Sequence, residues 1–460
     1  MHFGIAAMLV GMAAIGGTII RNVGTIEYAE RIDVRKPVSI VREAKENEPE
    51  VLVKFKSGVS FAEIKKIVGK NNDRIEDEIE NVKNLISIDD LDNANAKDVA
   101  KQYRQMSDLV LYAEPNFKIE LDPVGDISPV KAPLDKPQAP NDPMFGEQWA
   151  LNNQGQGGGK EKADISALKA WLKTQGSEEI VVAVLDTGVD YSHTDLSGNI
   201  WFRPENIPAY DDDELGLIDD KNGYNADANN GDPMDDNGHG THCAGIIGAE
   251  GNNNEGIAGV NWKVEIMPLK FLGSGGFGST KNAIEAINYA IDRKKAGVNV
   301  RVINASWGST IYSKALEDAI RAAGEQGILF VAAAGNNSTD NDRKPHYPSN
   351  YDLPNVISVA ALDRNDQLAS FSNFGVKTVH VAAPGKEIVS TWLNGQYREA
   401  SGTSMATPQV AGIAALLISG NPDIDVEGLR RKLLSSVDKI DSLDGKVENS
   451  GRMNAEKALE

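Results

Sequence analysis

Apolar and polar positions alternate along this chain in two different rhythms. Between Glu50 and Leu121 the apolar runs VLVKFK, NLISIDDL and LVLYAEPNFKIEL are short and interrupted by charge. Two stretches between them, FAEIKKIVGKN and AKDVAKQYRQM, space their apolar residues at helical intervals. The pattern predicts strand, helix, strand, helix, strand over residues 50–121, which suits a small ferredoxin-like α+β unit. From Asn141 the rhythm changes. The runs VVAVL, VEIMPLKFL, VRVINAS, ILFVAAAG and VISVAA are almost continuously apolar and read as strands buried on both faces. The stretches STKNAIEAINYAIDRKKAG and SKALEDAIRAAGEQG read as amphipathic helices, each stopped near a glycine. Strands alternating with helices imply an α/β domain over 141–460, with three layers and a mostly parallel sheet flanked by helices.

The segment between them, residues 122–140, reads DPVGDISPVKAPLDKPQAP, and its prolines exclude a helix interior or a central strand, so a linker is expected. Ahead of the small unit, residues 1–49 contain an uncharged, mostly apolar run from Phe3 to Ile20. It meets the lower length limit for a membrane span and reads as a signal or N-terminal anchor, although Arg21 follows the run instead of preceding it. A secreted or cell-envelope location is therefore expected.

Composition narrows the partners. The 460 residues carry 67 acidic against 47 basic side chains, a net charge of −20. That balance argues against nucleic acid or an anionic membrane surface as the main partner, leaving the possible anchor as the contact with a bilayer, and an acidic surface is one that can hold divalent cations. A single cysteine, Cys243, excludes an internal disulfide framework.

Candidate chemistry starts at Asp186, which ends an apolar run and is followed by Thr-Gly. In open α/β sheets ligands sit beyond the carboxyl ends of the strands, so Asp186 either does chemistry or caps a turn. An aspartic peptidase would need a second such acid to share its proton, and no second Asp-Thr-Gly or Asp-Ser-Gly occurs. In DDNGHGTHCAGIIG, His239 and His242 lie three apart; a general base, a metal pair or a structural histidine all fit, though no His-Glu-x-x-His accompanies them. Ser404 precedes a long apolar stretch, SGTSMATPQVAGIAALLISG, as a helix cap or as a nucleophile at a positive helix end. Asn336 ends the run FVAAAGNN, where its amide makes a turn or donates to an oxyanion.

In the order Asp, His, Asn, Ser, the motifs DTGVD, NGHGTHCAG, AAAGN and GTSMATP resemble those of the subtilisin-like serine proteases, the subtilases, across 141–460. The resemblance implies a serine endopeptidase of extended polypeptides, in which Asp186 orients His239, His239 takes the proton of Ser404, and Asn336 meets the oxyanion. It implies substrate pairing with Gly273, Ser274, Gly275 and Phe277 on one side and with Ser306, Trp307 and Gly308 on the other. The first pocket is then walled by Ser306 to Gly308 and Ala333 to Gly335, with His346 as its floor. His242 is implied to be structural.

The loop GNNNEGIAG resembles the family's calcium loop, which implies Asp142, Asp195, Asn253 and the carbonyls of Glu255 and Ile257 as ligands of a structural calcium ion. The acidic stretch around Asp211 to Asp236 does not match the EF-hand pattern, since Ile218 falls on its first ligand position. Upstream, residues 50–121 resemble the family's inhibitory propeptide, most specifically at YAEPN. The chain then reads as a self-processing zymogen inhibited by its own propeptide, with Leu121 in the first pocket and the cut between Leu121 and Asp122. The alternative is an inactive binding protein on the same fold.

Overall fold

The computed structural model describes residues 50–460 apart from 93, 126–127, 130–138 and 213–214. The expected signal or anchor in residues 1–49 lies outside the described residues. Among those described, no helix is long and apolar enough to cross a membrane.

The N-terminal unit has one strand more than its apolar pattern predicts. Its elements are β1 (Glu50–Phe55), α1 (Phe61–Lys70), β2 (Asp73–Ile79), β3 (Leu85–Asp90), α2 (Ala96–Arg104) and β4 (Val110–Pro115). The sheet runs β2-β3-β1-β4, antiparallel throughout. Strand β2, DRIEDEI, escaped notice because acids occupy most of its positions; pairing with β3 creates the strand. Alternation explains why β1 is apolar on both faces. Val51, Val53 and Phe55 pack with Ile64, Val68, Val99 and Tyr103 beneath the unit's own helices. Leu52, with Ile79 and Leu85, joins the core of the larger domain instead.

A short strand, β5 (Lys118–Glu120), leads out of the unit. The larger domain contributes β6 (Gly176–Asp186), β7 (Tyr224–Asn225), α3 (His239–Gly248), β8 (Lys263–Lys270), β9 (Phe277–Ser279), α4 (Thr280–Lys295), β10 (Val300–Ala305), α5 (Lys314–Glu325), β11 (Leu329–Ala333), β12 (Val356–Leu362), β13 (Val381–Pro384), α6 (Thr403–Gly420), β14 (Val437–Lys439) and β15 (Gly451–Met453). The central sheet of nine strands runs β7-β8-β6-β10-β11-β12-β13-β15-β14 and is parallel except at the β14 edge. Along β6, Val182 and Val184 enter one hydrophobic core while Val181, Ala183 and Leu185 enter the other. Each large apolar side chain buried this way contributes about 1.5–3 kcal/mol. Helix α6 is buried all round from Thr403 to Ile418, as its mainly apolar sequence requires.

Helices α4 and α5 begin at Ser279 and Ser313, whose hydroxyls accept from Asn282 N and Leu316 N, both at 3.1 Å. The N-terminal unit reaches these same helix ends. Glu114 accepts from Ser313 Oγ (2.7 Å), Lys314 N (3.1 Å) and Ala315 N (3.1 Å). Asn116 Oδ1 accepts from Lys281 N at 2.9 Å. Free N–H groups and the positive dipole end favour a carboxylate there.

Candidate active site

Residues far apart in sequence meet at the carboxyl ends of β6 and β11. Asp186, fully buried, closes β6 and accepts from Thr187 N (2.8 Å) and from His239 Nδ1 (2.7 Å) through Oδ1. His239 opens α3. The close pass between this helix and the turn after β6 forbids a side chain at Gly240, where a Cβ would stand 2.0 Å from the Gly188 carbonyl oxygen. Burial disfavours an imidazolium at His239, but the adjacent Asp186 carboxylate more than offsets it, so the pKa is raised above the ordinary 6.5.

Ser404 lies in the first turn of α6. Its hydroxyl donates to the Ser306 carbonyl at 3.0 Å, and His239 Nε2 has no hydrogen-bond partner. The sequence resemblance put that hydroxyl on His239; here it is turned to the neighbouring carbonyl, and rotation about χ1 governs the choice. Asn336 follows β11. Its Oδ1 accepts from Thr403 N (2.8 Å) and Thr403 Oγ1 (2.9 Å), which fixes the amide so that Nδ2 points the other way. Nδ2 donates to the Pro123 carbonyl at 3.0 Å.

That carbonyl belongs to the chain's own tail, which occupies the cleft. Strand β5 pairs antiparallel with β9, Glu120 opposite Phe277 and Lys118 opposite Ser279. Leu121 N donates to the Gly276 carbonyl at 3.0 Å, and Glu120 bridges to Gly308 on the opposite side. The pairing falls later than Gly273 to Gly275, because Gly273 and Gly276 close a tight turn, with Gly276 at φ +73°, before the strand starts. Ser274 accepts from Asn237 Nδ2 through its carbonyl and stays off the tail. Phe277 is 48% exposed and carries Lys118 Nζ 3.8 Å above its ring, while Ile119 and Asp122 are buried residues of the tail. The Trp307 side chain is fully buried and donates from Nε1 to the Leu185 carbonyl.

The first pocket exists where expected but holds another residue. His346 is buried, and a Cβ on Gly308 or Gly335 would meet its ring at 2.0 and 3.0 Å. Asp122 fills the space, its Oδ1 3.1 Å from His346 Nε2. Leu121, expected there, lies against Gly276 instead, because alternation along an extended strand sends neighbours to opposite sides. The tail continues past 122–123 inside the cleft. Gly125 N donates to the Ser401 carbonyl, and Ser128–Pro129 adds to the edge of the hairpin strand Gln396–Ala400, so the expected linker begins as an ordered segment.

Two supporting residues, Asp235 and Lys270, went unnoticed in the sequence. Asp235 accepts from Thr187 Oγ1, Asn237 N, Gly238 N and both Thr241 N and Oγ1, binding the turn after Asp186 to the start of the His239 helix. Lys270, buried at the end of β8, donates to the Thr187 and Leu272 carbonyls and to Asp236. Ser306 Oγ donates to the Ser404 carbonyl, which Cys243 Sγ also approaches at 3.4 Å. Only the run of acids around Asp235 hinted at this; partners came from folding. His242 sits with Nε2 3.1 Å from the Ile388 and Arg398 carbonyls, and burial pushes its pKa down to about 3.

The five candidate calcium residues gather in one place. Asp195 accepts from Asn253 Nδ2 (2.9 Å), Ile257 N (2.9 Å) and Tyr397 OH (3.2 Å). Asp142 accepts from Asn252 N and Asn253 N, and Glu255 N donates to Asn253 Oδ1. Burial, with the Asp142 charge nearby, pushes Asp195 up to about 7. Two buried carboxylates, each raised by burial and one of them further by its neighbour's charge, beside the Asn253 amide, are a donor set that fits a hard cation.

Comparison with known proteins agrees with this geometry. The family model described as the subtilase family matches residues 177–453. A thermophilic serine proteinase of Bacillus sp. (strain AK1) is 35% identical over 421 residues, 89% of this chain and 87% of that one. Thermitase of Thermoactinomyces vulgaris is 37% identical over 321 residues, 70% of this chain and 99% of that one. Among solved structures, fervidolysin from Fervidobacterium pennivorans, a keratinolytic enzyme related to subtilisin, superposes with a TM-score of 0.70 at 27% identity, covering 91% of this chain and 62% of that one. The chain belongs to the subtilase family and is a serine endopeptidase.

Proposed function

We propose that this endopeptidase is a self-processing zymogen, and that Asp186, His239, Ser404 and Asn336 carry its chemistry. The observation that supports this best is the tail of residues 118–123, held as an extended strand between Gly276–Ser279 and Gly308 with a carbonyl on Asn336 Nδ2. A substrate would take the same path by main-chain pairing, which reads shape and not sequence. The Ser404 hydroxyl swings from Ser306 to His239 Nε2 and loses its proton there as Oγ attacks the carbonyl. Asp186 holds the ring through Nδ1 and stabilises the imidazolium. Asn336 Nδ2 and the Ser404 N–H meet the oxyanion. The proton on His239 then passes to the leaving amine, and water repeats the sequence to free the acid.

The N-terminal unit acts as the inhibitory propeptide, and polypeptides compete with its tail for the cleft. Asp142, Asp195, Asn253, Glu255 and Ile257 would hold a calcium ion, which supplies cross-linking charge to a loop and takes no part in the reaction. Export to the cell exterior or envelope follows from the apolar run at 3–20. The experiment is to purify the wild type and Ser404→Ala side by side. Ser404→Ala is expected to remain a single uncut chain without peptidase activity. The wild type is expected to mature with a new N-terminus at Asp122 or within a few residues of it, where the tail passes His346 and Asn336. A mature start before Glu50 or after Asn141, or processing of Ser404→Ala, refutes this reading.

A further inference from the structure

A group of acids gathers where the N-terminal unit meets α4. A cavity of about 110 Å³ lies there, with Glu50, Glu76, Asp77, Asp212 and Glu285 in its wall and Lys281 beside them. The Lys281 ammonium is spent on one side of it, 3.3 Å from Asp77, 3.5 Å from Glu76 and 3.9 Å from Glu50. Glu80, Asp212 and Glu285 adjoin that group, each offering a carboxylate oxygen, all within 4.8 Å of one another, and the Lys281 charge is shared with Glu285 as well.

A cluster of acids alone would mean little, but this one contains buried acceptors without donors. Glu285 is only 6% exposed and its Oε1 has no hydrogen-bond partner. Asn288, fully buried one turn further along α4, donates from Nδ2 to Glu80 Oε2 at 3.2 Å, and its own amide oxygen is unpartnered. Unpartnered buried oxygens are costly, and carboxylates at such separations repel. A cation among the carboxylates removes their repulsion and gives Glu285 Oε1 a partner.

We propose that Glu80, Asp212 and Glu285 bind a divalent cation of the calcium class that joins the N-terminal unit to the peptidase domain. The donors are all oxygen, with no histidine or cysteine among them, which selects a hard ion. They come from the turn after β2, from the strand Tyr210–Asp212 and from α4. Carboxylates on separate backbone segments suit the adaptable coordination of calcium better than the rigid octahedron of magnesium. Glu80 belongs to the N-terminal unit and the other two to the peptidase domain. An ion bound by both parts binds the joined state more tightly than either part alone, and by reciprocity it tightens the hold of the unit. Calcium would thereby set how readily the inhibitory unit leaves, at a place that touches no substrate.

The test uses the intact Ser404→Ala chain, which cannot digest itself, and counts bound calcium by equilibrium dialysis. Glu80→Gln and Glu285→Gln, each added to that chain, are expected to bind about one calcium ion fewer than the parent. Asp195→Asn is expected to lower the count separately, so that the losses add. Glu80 is exposed, so its glutamine variant keeps the fold even where Glu285→Gln does not, and the melting temperature in chelator verifies this. Retention of the parent's calcium count by folded Glu80→Gln overturns the proposal, and protons then balance the cluster.

Discussion

The N-terminal unit touches the peptidase domain in two chemically different ways. At the cleft, contact is made mainly by backbone, with residues 118–123 pairing with Gly276–Ser279 and Gly308. At the ends of α4 and α5, contact is made by side chains: Glu114 on three donors, Asn116 on one, and the acids facing Glu285. Backbone pairing is available to any extended chain. The helix-end contacts are particular to this unit. On the zymogen reading proposed above, strength of inhibition and generality of cleavage are built in separate places, and a change in one should spare the other.

The largest effect expected is at the cleft. Asn336→Ala should lower turnover about 10²- to 10³-fold, the range known for removing this donor in subtilisin itself, with little change in KM. Equal turnover in wild type and variant would break the assignment. At the other contact, Glu114→Ala should weaken the hold of the cleaved unit about tenfold, as loss of a helix-end carboxylate worth roughly 1–2 kcal/mol implies. Activity released on diluting freshly processed protein measures this, and kcat on a peptide should not move. A loss of kcat would merge the two contacts into one.

The calcium ion proposed at Asp195 sharpens the contrast, since that place belongs to neither contact. A hundredfold excess over the dissociation constant stabilises by about 2.7 kcal/mol, so chelation should lower the melting temperature of Ser404→Ala, and Asp195→Asn should shrink the difference. Identical melting in all cases would remove that ion. The smallest effect is on pH dependence. His239 must be neutral to take the serine proton, and its raised pKa means that kcat/KM falls as pH drops through a midpoint above 6.5. Asp122 contributes to that rise, so the midpoint in matured enzyme, freed of the tail, should lie below that of His239 in the intact Ser404→Ala chain followed by NMR titration.

Much of the fold was legible because burial leaves a local record. The five apolar runs became β6, β8, β10, β11 and β12, and the serines and glycines around α4 and α5 mark those helices within a residue or two. Strand β2 left no such record, since acids facing Lys281 and the peptidase domain replace the apolar alternation. Likewise the motifs announced Asp186, His239, Asn336 and Ser404 by residue type and order. Only the folded chain decided that Asp235 would tie two of their turns together, that the Ser404 hydroxyl would rest on Ser306, and that Asp122 would enter the His346 pocket in place of Leu121. The carboxylate cluster around Glu285 is the extreme case, assembled from residues 80, 212 and 285. Periodicity reports which face of an element is buried, whereas partners across such distances are set by how elements pack, and a lone acid in a sequence carries no sign of which other acids will face it.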